Sequence, residues 1–444
     1  MPSIFKDLSH KIPSRVSISL LCALLVIELY ITRTNLSIAI VSMVQTVTKE
    51  MIHSDVKREP FCLRNIYNVS ENYTKYVTDN FTDEKTENTE VPPIQMTSTE
   101  RGNILSAFYY AYGISGILGG RLAETFGTKK VGGVALLVDA LVNFLIPFVS
   151  QSSYWLFFTL RECATLPSLS LGQWIPPDEL TRAVGFVFHA NNIGSSLTLM
   201  LCGYIISLLG WEYVFYISGS IASLCLVIWI FFFFDTPEKH PRISPQEKSY
   251  INEALKERKF RKKPDSVPIR KMLKSLPIWA ATFAHGGSMC GLNLLVTQLP
   301  IYMSSIIGVN IRKNGILSAL PFISRLIGSN ASSWLLHFIK KKCHWKLKTL
   351  RLVATTIGPG VSYLLVGYVG CSQWSAILLF TLGSALNGLA TSGYLCSYID
   401  ITSNFSGTAL GISNVYASLN SMIVPVTIGA LTPGENPLNH QLQK

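Results

Sequence analysis

Six ionisable side chains interrupt the long apolar tracts of this chain: Glu28, Arg33, Asp139, Arg161, Glu162 and Arg325. An ionisable group at bilayer depth costs about 2.5 to 3.5 kcal/mol on insertion scales, so it faces a cavity, finds a partner or does work. Arg33 stands mid-tract beside Thr34, Asn35 and Ser37, a polar turn whose planar cation suits an anion. The alternative is a guanidinium neutralised by a carboxylate for packing. Glu162 precedes Thr165 and Pro167 in a tract with helix-disturbing residues. A carboxylate there is a natural proton acceptor, because its charge responds to burial and to a nearby guanidinium. Arg161 adjoins Glu162, and neighbours on a helix diverge by about 100°, so the two cannot both point squarely into one cavity. Glu28 and Asp139 receive no role at this stage, and His285 reads as a satisfied polar residue. No nucleophile with a base, metal-ligand cluster or phosphate-cradling glycine loop stands out, so an enzyme is not expected.

These residues must be carried by membrane helices. The chain has 444 residues, 48% apolar and only 14% charged, where soluble domains carry about 25% charged residues. Of its 64 acidic and basic side chains, 44 fall in residues 1 to 15, 45 to 100, 235 to 274 and 340 to 351. The rest is long apolar tract with polar punctuation, the pattern a bilayer demands because about 20 helical residues cross its core with every backbone group internally bonded. The spacing predicts spans at 16 to 44, 102 to 121, 131 to 150, 154 to 174, 183 to 209 and 211 to 234. Five more follow at 276 to 303, 314 to 338, 350 to 371, 374 to 399 and 407 to 430.

Charge sets the sides. Residues 45 to 100 hold six basic and ten acidic residues and the sequons at Asn68, Asn72 and Asn80, which fit an extracytoplasmic loop open to glycosylation. Residues 235 to 274 hold twelve basic and six acidic residues; with Lys340, Lys341, Lys342 and the pair Lys129, Lys130 they mark one positive side. The N-terminus is therefore expected in the cytoplasm. A net charge of +12 would suggest nucleic acid in a soluble chain, but here it is an orienting charge, and no nucleic-acid partner is expected. The stretch from Glu247 to Lys263 is amphipathic enough for a surface helix. Sequons at Asn35, inside the first span, and Asn404, on a cytoplasmic loop, are expected to stay unmodified. Cysteines are scattered singly, and most lie in apolar tracts as small hydrophobes. Cys62 in the first polar loop and Cys371 at a span end are either a pair or two free thiols.

The run Gly119 to Lys130 has another character. Glycines allow close helix approach, Glu124 and basic residues sit at the cytoplasmic exit, and Gly127 permits a tight turn. Gly120, Glu124, Gly127 and Lys129 together read as a conformational latch, with Glu124 pairing to a neighbouring helix in one state.

That run resembles the loop between spans two and three of the major facilitator superfamily, with Glu124 where Asp is commoner. More narrowly, Arg33-Thr34-Asn35-Leu36-Ser37, Trp174-Ile175-Pro176-Pro177, Asp235-Thr236-Pro237-Glu238-Lys239 and Leu317-Ser318-Ala319-Leu320-Pro321 resemble its anion/cation symporter family. That family holds sodium-phosphate cotransporters, sialin and vesicular glutamate transporters, and the likeness runs over nearly the whole chain. It implies an all-α polytopic membrane protein in which two helical bundles rock about a midplane site, moving an inorganic or organic anion with sodium or protons. By the same resemblance Arg33 is an anion-binding arginine, with Asn35 and Arg161 as further substrate-binding candidates, and Glu162 is the coupling glutamate. Glutamate-transporting members have an arginine where this chain reads Ser288 and a histidine where it aligns Leu105. These departures favour the phosphate-type or sialin-like branch. The family separates its fourth-span arginine and glutamate, which here are adjacent, so Arg161 is expected to be displaced from the anion site.

The expected organisation is a cytoplasmic N-terminus at 1 to 15, a six-helix bundle at 16 to 234 and a linker at 235 to 275. A five-span bundle at 276 to 431 and a short tail at 432 to 444 follow, with a twelfth span apparently missing. The expected protein is a multi-pass symporter of the plasma membrane or of a vesicular or lysosomal membrane. It needs no cofactor beyond its coupling ion, and its partners are a small anion and the lipid bilayer; the sequence assigns no oligomeric state. The rival reading is a transport-incompetent truncated isoform acting as a membrane-bound receptor or regulatory partner.

Overall fold

The computed structural model describes residues 13–46, 62, 94–163, 174–175, 177–260, 269–343, 358–401 and 406–432. The three sequons of the first polar loop and Asn404 lie outside them. The first half comprises α1 (Ser14–Met43), α2 (Ser98–Phe126), α3 (Thr128–Ser152), α4 (Tyr154–Cys163), α5 (Pro177–Leu209) and α6 (Glu212–Phe232). A linker carries a 3-10 turn at Pro237–Lys239, α7 (Pro245–Phe260) and the short α8 (Ile269–Leu273). The second half comprises α9 (Leu276–Ser305), α10 (Ile311–Cys343), α11 (Gly358–Val366), α12 (Gln373–Ile401) and α13 (Ser406–Leu431).

Length and composition alone qualify α1, α3, α6 and most of α5 and α13 as bilayer-crossing helices. Their outer faces expose Leu208, Phe148, Leu224 and Phe231. A sheath of this kind is costly in water and natural in lipid tails. Helix α2 starts four residues before the expected span because Thr97 and Glu100 form a reciprocal cap. Thr97 Oγ1 accepts from Glu100 N at 3.2 Å and Glu100 Oε2 accepts from Thr97 N at 2.8 Å. The stretch read as a plain loop also supplies two short strands, β1 (Val44–Thr46) and β2 (Ile94–Met96), paired in parallel with Val44 opposite Ile94.

Within the first half α1 packs on α5 and α6, α3 on α6, and α2 on α4; in the second half α9 packs on α13 and α12, and α10 on α12. The halves meet along α2 with α13, α5 with α10, and α1 with α9. Two of these seams depend on glycine. A Cβ on Gly102 would lie 2.5 Å from Pro425 O of α13, and one on Gly315 would lie 2.5 Å from Leu199 O of α5. Small residues let backbones approach this closely, which substitutes for the missing hydrophobic drive between helices in lipid. At the same end of the molecule, away from the linker, Cys62 and Cys371 form a disulfide, and Cys62 N donates to Ile306 O at 3.0 Å. The pairing left open by the sequence is therefore made, and it joins the first loop of one half to the second half.

At the other end the linker is fastened to the first half. Ser14 N and Arg15 N donate to Glu247 of α7 at 2.9 and 3.1 Å, and Arg15 pairs with Glu179 at 3.3 Å. Trp174 Nε1 donates to Phe234 O at 2.8 Å, and His240 lies edge-on to both rings. Burial lowers the His240 imidazole from its ordinary value, so it favours the neutral form.

Candidate functional site

Helix α1 brings Arg33 to the seam between the halves, where aromatic residues of α1 and α2 surround it. Its guanidinium carbon lies 5.0 Å from the Tyr30 ring centre, 4.7 Å from Phe108, 4.8 Å from Tyr109 and 5.8 Å from Tyr112. Ring faces present negative potential, so this cage holds a cation without a counter-charge. Arg33 Nη2 donates to Asn293 Oδ1 of α9 at 2.8 Å, and the Tyr109 hydroxyl donates to the same oxygen at 2.7 Å. Asn293 Nδ2 in turn donates to the Ser421 hydroxyl of α13. Among the described residues no carboxylate pairs with Arg33, and its Nε is buried without a partner. The packing alternative, a guanidinium neutralised by a carboxylate, is not what is built.

Arg161 of α4 reaches the same place. Its Nη1 donates to Thr32 O and its Nη2 to Arg33 O, both at 2.8 Å. With Arg33, Ser37, Leu105, Phe108, Tyr109 and Thr297 it lines a narrow cavity of about 10 Å³, room for about one water. Arg161 was expected to stand away from Arg33, and instead its long side chain bridges from α4 back to α1 and lines the same cavity. Two guanidinium groups, an aromatic wall and hydroxyls converge from both halves.

Other site residues are placed differently. Asn35 does not line the cavity. Two residues beyond Arg33 it lies about 200° round the helix, fully buried, and donates to Asn143 Oδ1 of α3 at 2.9 Å. Glu162, about 100° from Arg161, also stays out of the cavity and is half-buried. Glu28 and Asp139, given no role from sequence, lie behind the site at 2% and 4% exposure. In the turn between α2 and α3, Gly127 has φ 91° and Lys129 N donates to Asp235 Oδ1 at 2.7 Å. A Cβ on Gly127 would stand 2.9 Å from Asp235 Oδ2. The turn therefore engages the carboxylate of Asp235, three residues beyond the end of α6 at the start of the linker. Gly120 lies within α2, and the Glu124 side chain lies outside the described residues. A second polar cluster surrounds Arg325 of α10, whose Nε donates to Asn387 Oδ1 at 3.0 Å and Nη1 to Asn192 Oδ1 at 2.7 Å.

Sequence reasoning missed Tyr30, Tyr109, Tyr112 and Asn293. The run Phe108-Tyr109-Tyr110-Ala111-Tyr112 in a span that faces a buried arginine was the available signal.

The pattern of the Major Facilitator Superfamily matches residues 22–425. The chain belongs to this superfamily. Human sialin is 32% identical over 350 residues, covering 76% of this chain and 70% of sialin. A putative inorganic phosphate cotransporter of Drosophila ananassae is 29% identical over 417 residues, covering 90% of this chain and 82% of that protein. Among solved structures, the inward open xylose transporter XylE from E. coli aligns with TM-score 0.63 at 14% identity, covering 96% of this chain and 92% of that one. That likeness shows the superfamily fold. Members are multi-pass membrane transporters, not enzymes.

Proposed function

We propose that this chain is a secondary active transporter of a small anion, phosphate-type or sialin-like, driven by a sodium or proton gradient through alternating access. The observation that carries it is Arg33: a cation caged by four aromatic rings, with one unsatisfied donor and no carboxylate partner among the described residues, on a cavity shared by both halves. Arg161 adds a second positive charge on the same cavity. Leu105 gives one wall an apolar surface, and Ser288 is engaged with Asn387 of α12 at 3.1 Å. Relatives described as sialin, phosphate cotransporters and sodium-dependent phosphate transport proteins support an anion as cargo. The same relatives argue against a receptor or regulatory partner. The positive linker end is read as cytoplasmic, and the membrane as plasma or vesicular.

The test is uptake of labelled phosphate, urate and sialate into proteoliposomes under separate sodium and proton gradients. Wild-type protein is expected to accumulate at least one of them, and Arg33→Ala to accumulate none. Uptake by Arg33→Ala at the wild-type rate would remove the guanidinium from the mechanism.

A further inference from the structure

Behind the cavity, Glu28 of α1 and Asp139 of α3 are buried with their carboxyl groups against each other. Asp139 has both oxygens occupied: Oδ2 accepts from the Thr32 hydroxyl at 2.7 Å and Oδ1 from Asn143 Nδ2 at 3.2 Å. Glu28 Oε1 is buried with no hydrogen-bond partner. Among the described residues, the other titratable groups that interact with the pair are Arg161 from α4 and Cys225 from α6. Two carboxyl groups in contact, away from water, lie together only when a proton sits between them. Asp139 already accepts at both oxygens, so the proton belongs to Glu28.

We propose that Glu28 and Asp139 form the proton-binding site of this transporter, linked to the anion cavity through Arg161. This rests on the transport reading above and specifies its driving ion. Arg161 is placed to make the link. It acts electrostatically on Asp139, donates to the α1 carbonyls of Thr32 and Arg33, and lines the cavity. A charge count gives the coupling. In a carrier stripped of both anion and proton, ionised Glu28 and Asp139 would balance Arg33 and Arg161; the contact of the two carboxyl groups seen here is the proton-loaded, anion-free form. In the loaded carrier one anion and one proton have been added, and the sum is again zero. An anion alone or a proton alone leaves an unbalanced charge in a low-dielectric interior, which disfavours the closed intermediate that must form between the two open states. By linkage, an anion beside Arg161 strengthens proton binding to the pair, and the proton strengthens anion binding equally. Glu162 does not line the cavity.

The full chain in proteoliposomes with an entrapped pH-sensitive dye tests this directly, with labelled phosphate, urate and sialate as probes. In wild type, anion uptake is expected to acidify the lumen. Glu28→Gln carries a permanently neutral side chain, so proton movement should fall at least about tenfold more than anion counterflow does. Asp139→Asn should show the same split, which guards against one variant failing to fold. Infrared spectroscopy of the purified protein gives an independent reading: the carbonyl stretch of a protonated carboxylic acid should be present in wild type and lost in Glu28→Gln. The proposal is overturned if Glu28→Gln still moves protons in proportion to anion, if that infrared band survives the substitution, or if a sodium gradient alone drives wild type without proton movement. It is equally overturned if Glu162→Gln, and not Glu28→Gln, uncouples protons. Failure of the transport reading looks different, since wild type then exchanges no anion at all.

Discussion

Arg33 and Asn293 set the chemistry at the smallest scale. Asn293 Oδ1 accepts from both Arg33 and Tyr109, so this neutral acceptor orients the guanidinium without cancelling its charge. Asn293→Asp is nearly isosteric and adds a carboxylate against Arg33, so it should abolish anion uptake while leaving membrane insertion intact; uptake alongside surface labelling would show it. Arg33→Lys keeps the charge but loses the planar fork and its stacking on four rings. Its half-saturating anion concentration should rise at least about tenfold, the equivalent of about 1.4 kcal/mol. Equal uptake by Arg33→Lys would mean that the cage only positions a point charge. Sequence made Arg33 legible because a guanidinium in an apolar tract is conspicuous. It did not make Asn293 legible, because an asparagine 260 residues away acquires meaning only when α9 crosses α1.

At the scale of elements, close helix crossings and the docked linker carry separate predictions. Gly315 leaves no space for a side chain against Leu199 O of α5, so Gly315→Leu should force α5 and α10 apart at the end away from the linker. Overpacking of this kind costs about 1 to 3 kcal/mol and falls on this crossing. A thiol reagent applied from that side should then reach a cysteine placed at Thr297 faster than in the parent protein. An unchanged labelling rate would show that the crossing is not part of the closure. The linker responds to pH. His240 is lowered by burial, so between its folded and unfolded values the unfolded state binds more protons, and docking weakens as pH falls through the ordinary histidine range near about 6.5. Faster hydrogen exchange around Trp174 and Phe234 at mildly acid pH would register it, and His240→Phe should remove that dependence. Helices α1 and α9 were legible from apolar runs. The two short strands were not, because three-residue segments carry no periodicity and pair only through the contact of Val44 with Ile94.

For the whole molecule, the disulfide and the seam decide how the halves stay together. Cys62 and Cys371 close a loop with a sequence separation of 309 residues and tie the first loop to the second half. Removing a cross-link of that length typically costs about 2 to 5 kcal/mol, so Cys371→Ser should lower the melting temperature of detergent-purified protein. It should leave Cys62 open to alkylation without prior reduction. A melting temperature equal to wild type would place the stability in the helix seams alone.

Sequence by itself determined the class of this protein, its alternation of spans and polar segments, and the arginine on which an anion reading depends. These follow from local rules, since a bilayer taxes each residue by hydropathy and each charge by depth wherever the rest of the chain lies. Tertiary structure decided what faces what. Arg161 reaches back into the cavity although its neighbour Glu162 does not, Asn35 turns away toward Asn143, and Glu28 meets Asp139 across 111 residues of chain. Those outcomes depend on helix rotation and crossing, which fix partners for buried charges through contacts between distant segments that no local pattern encodes.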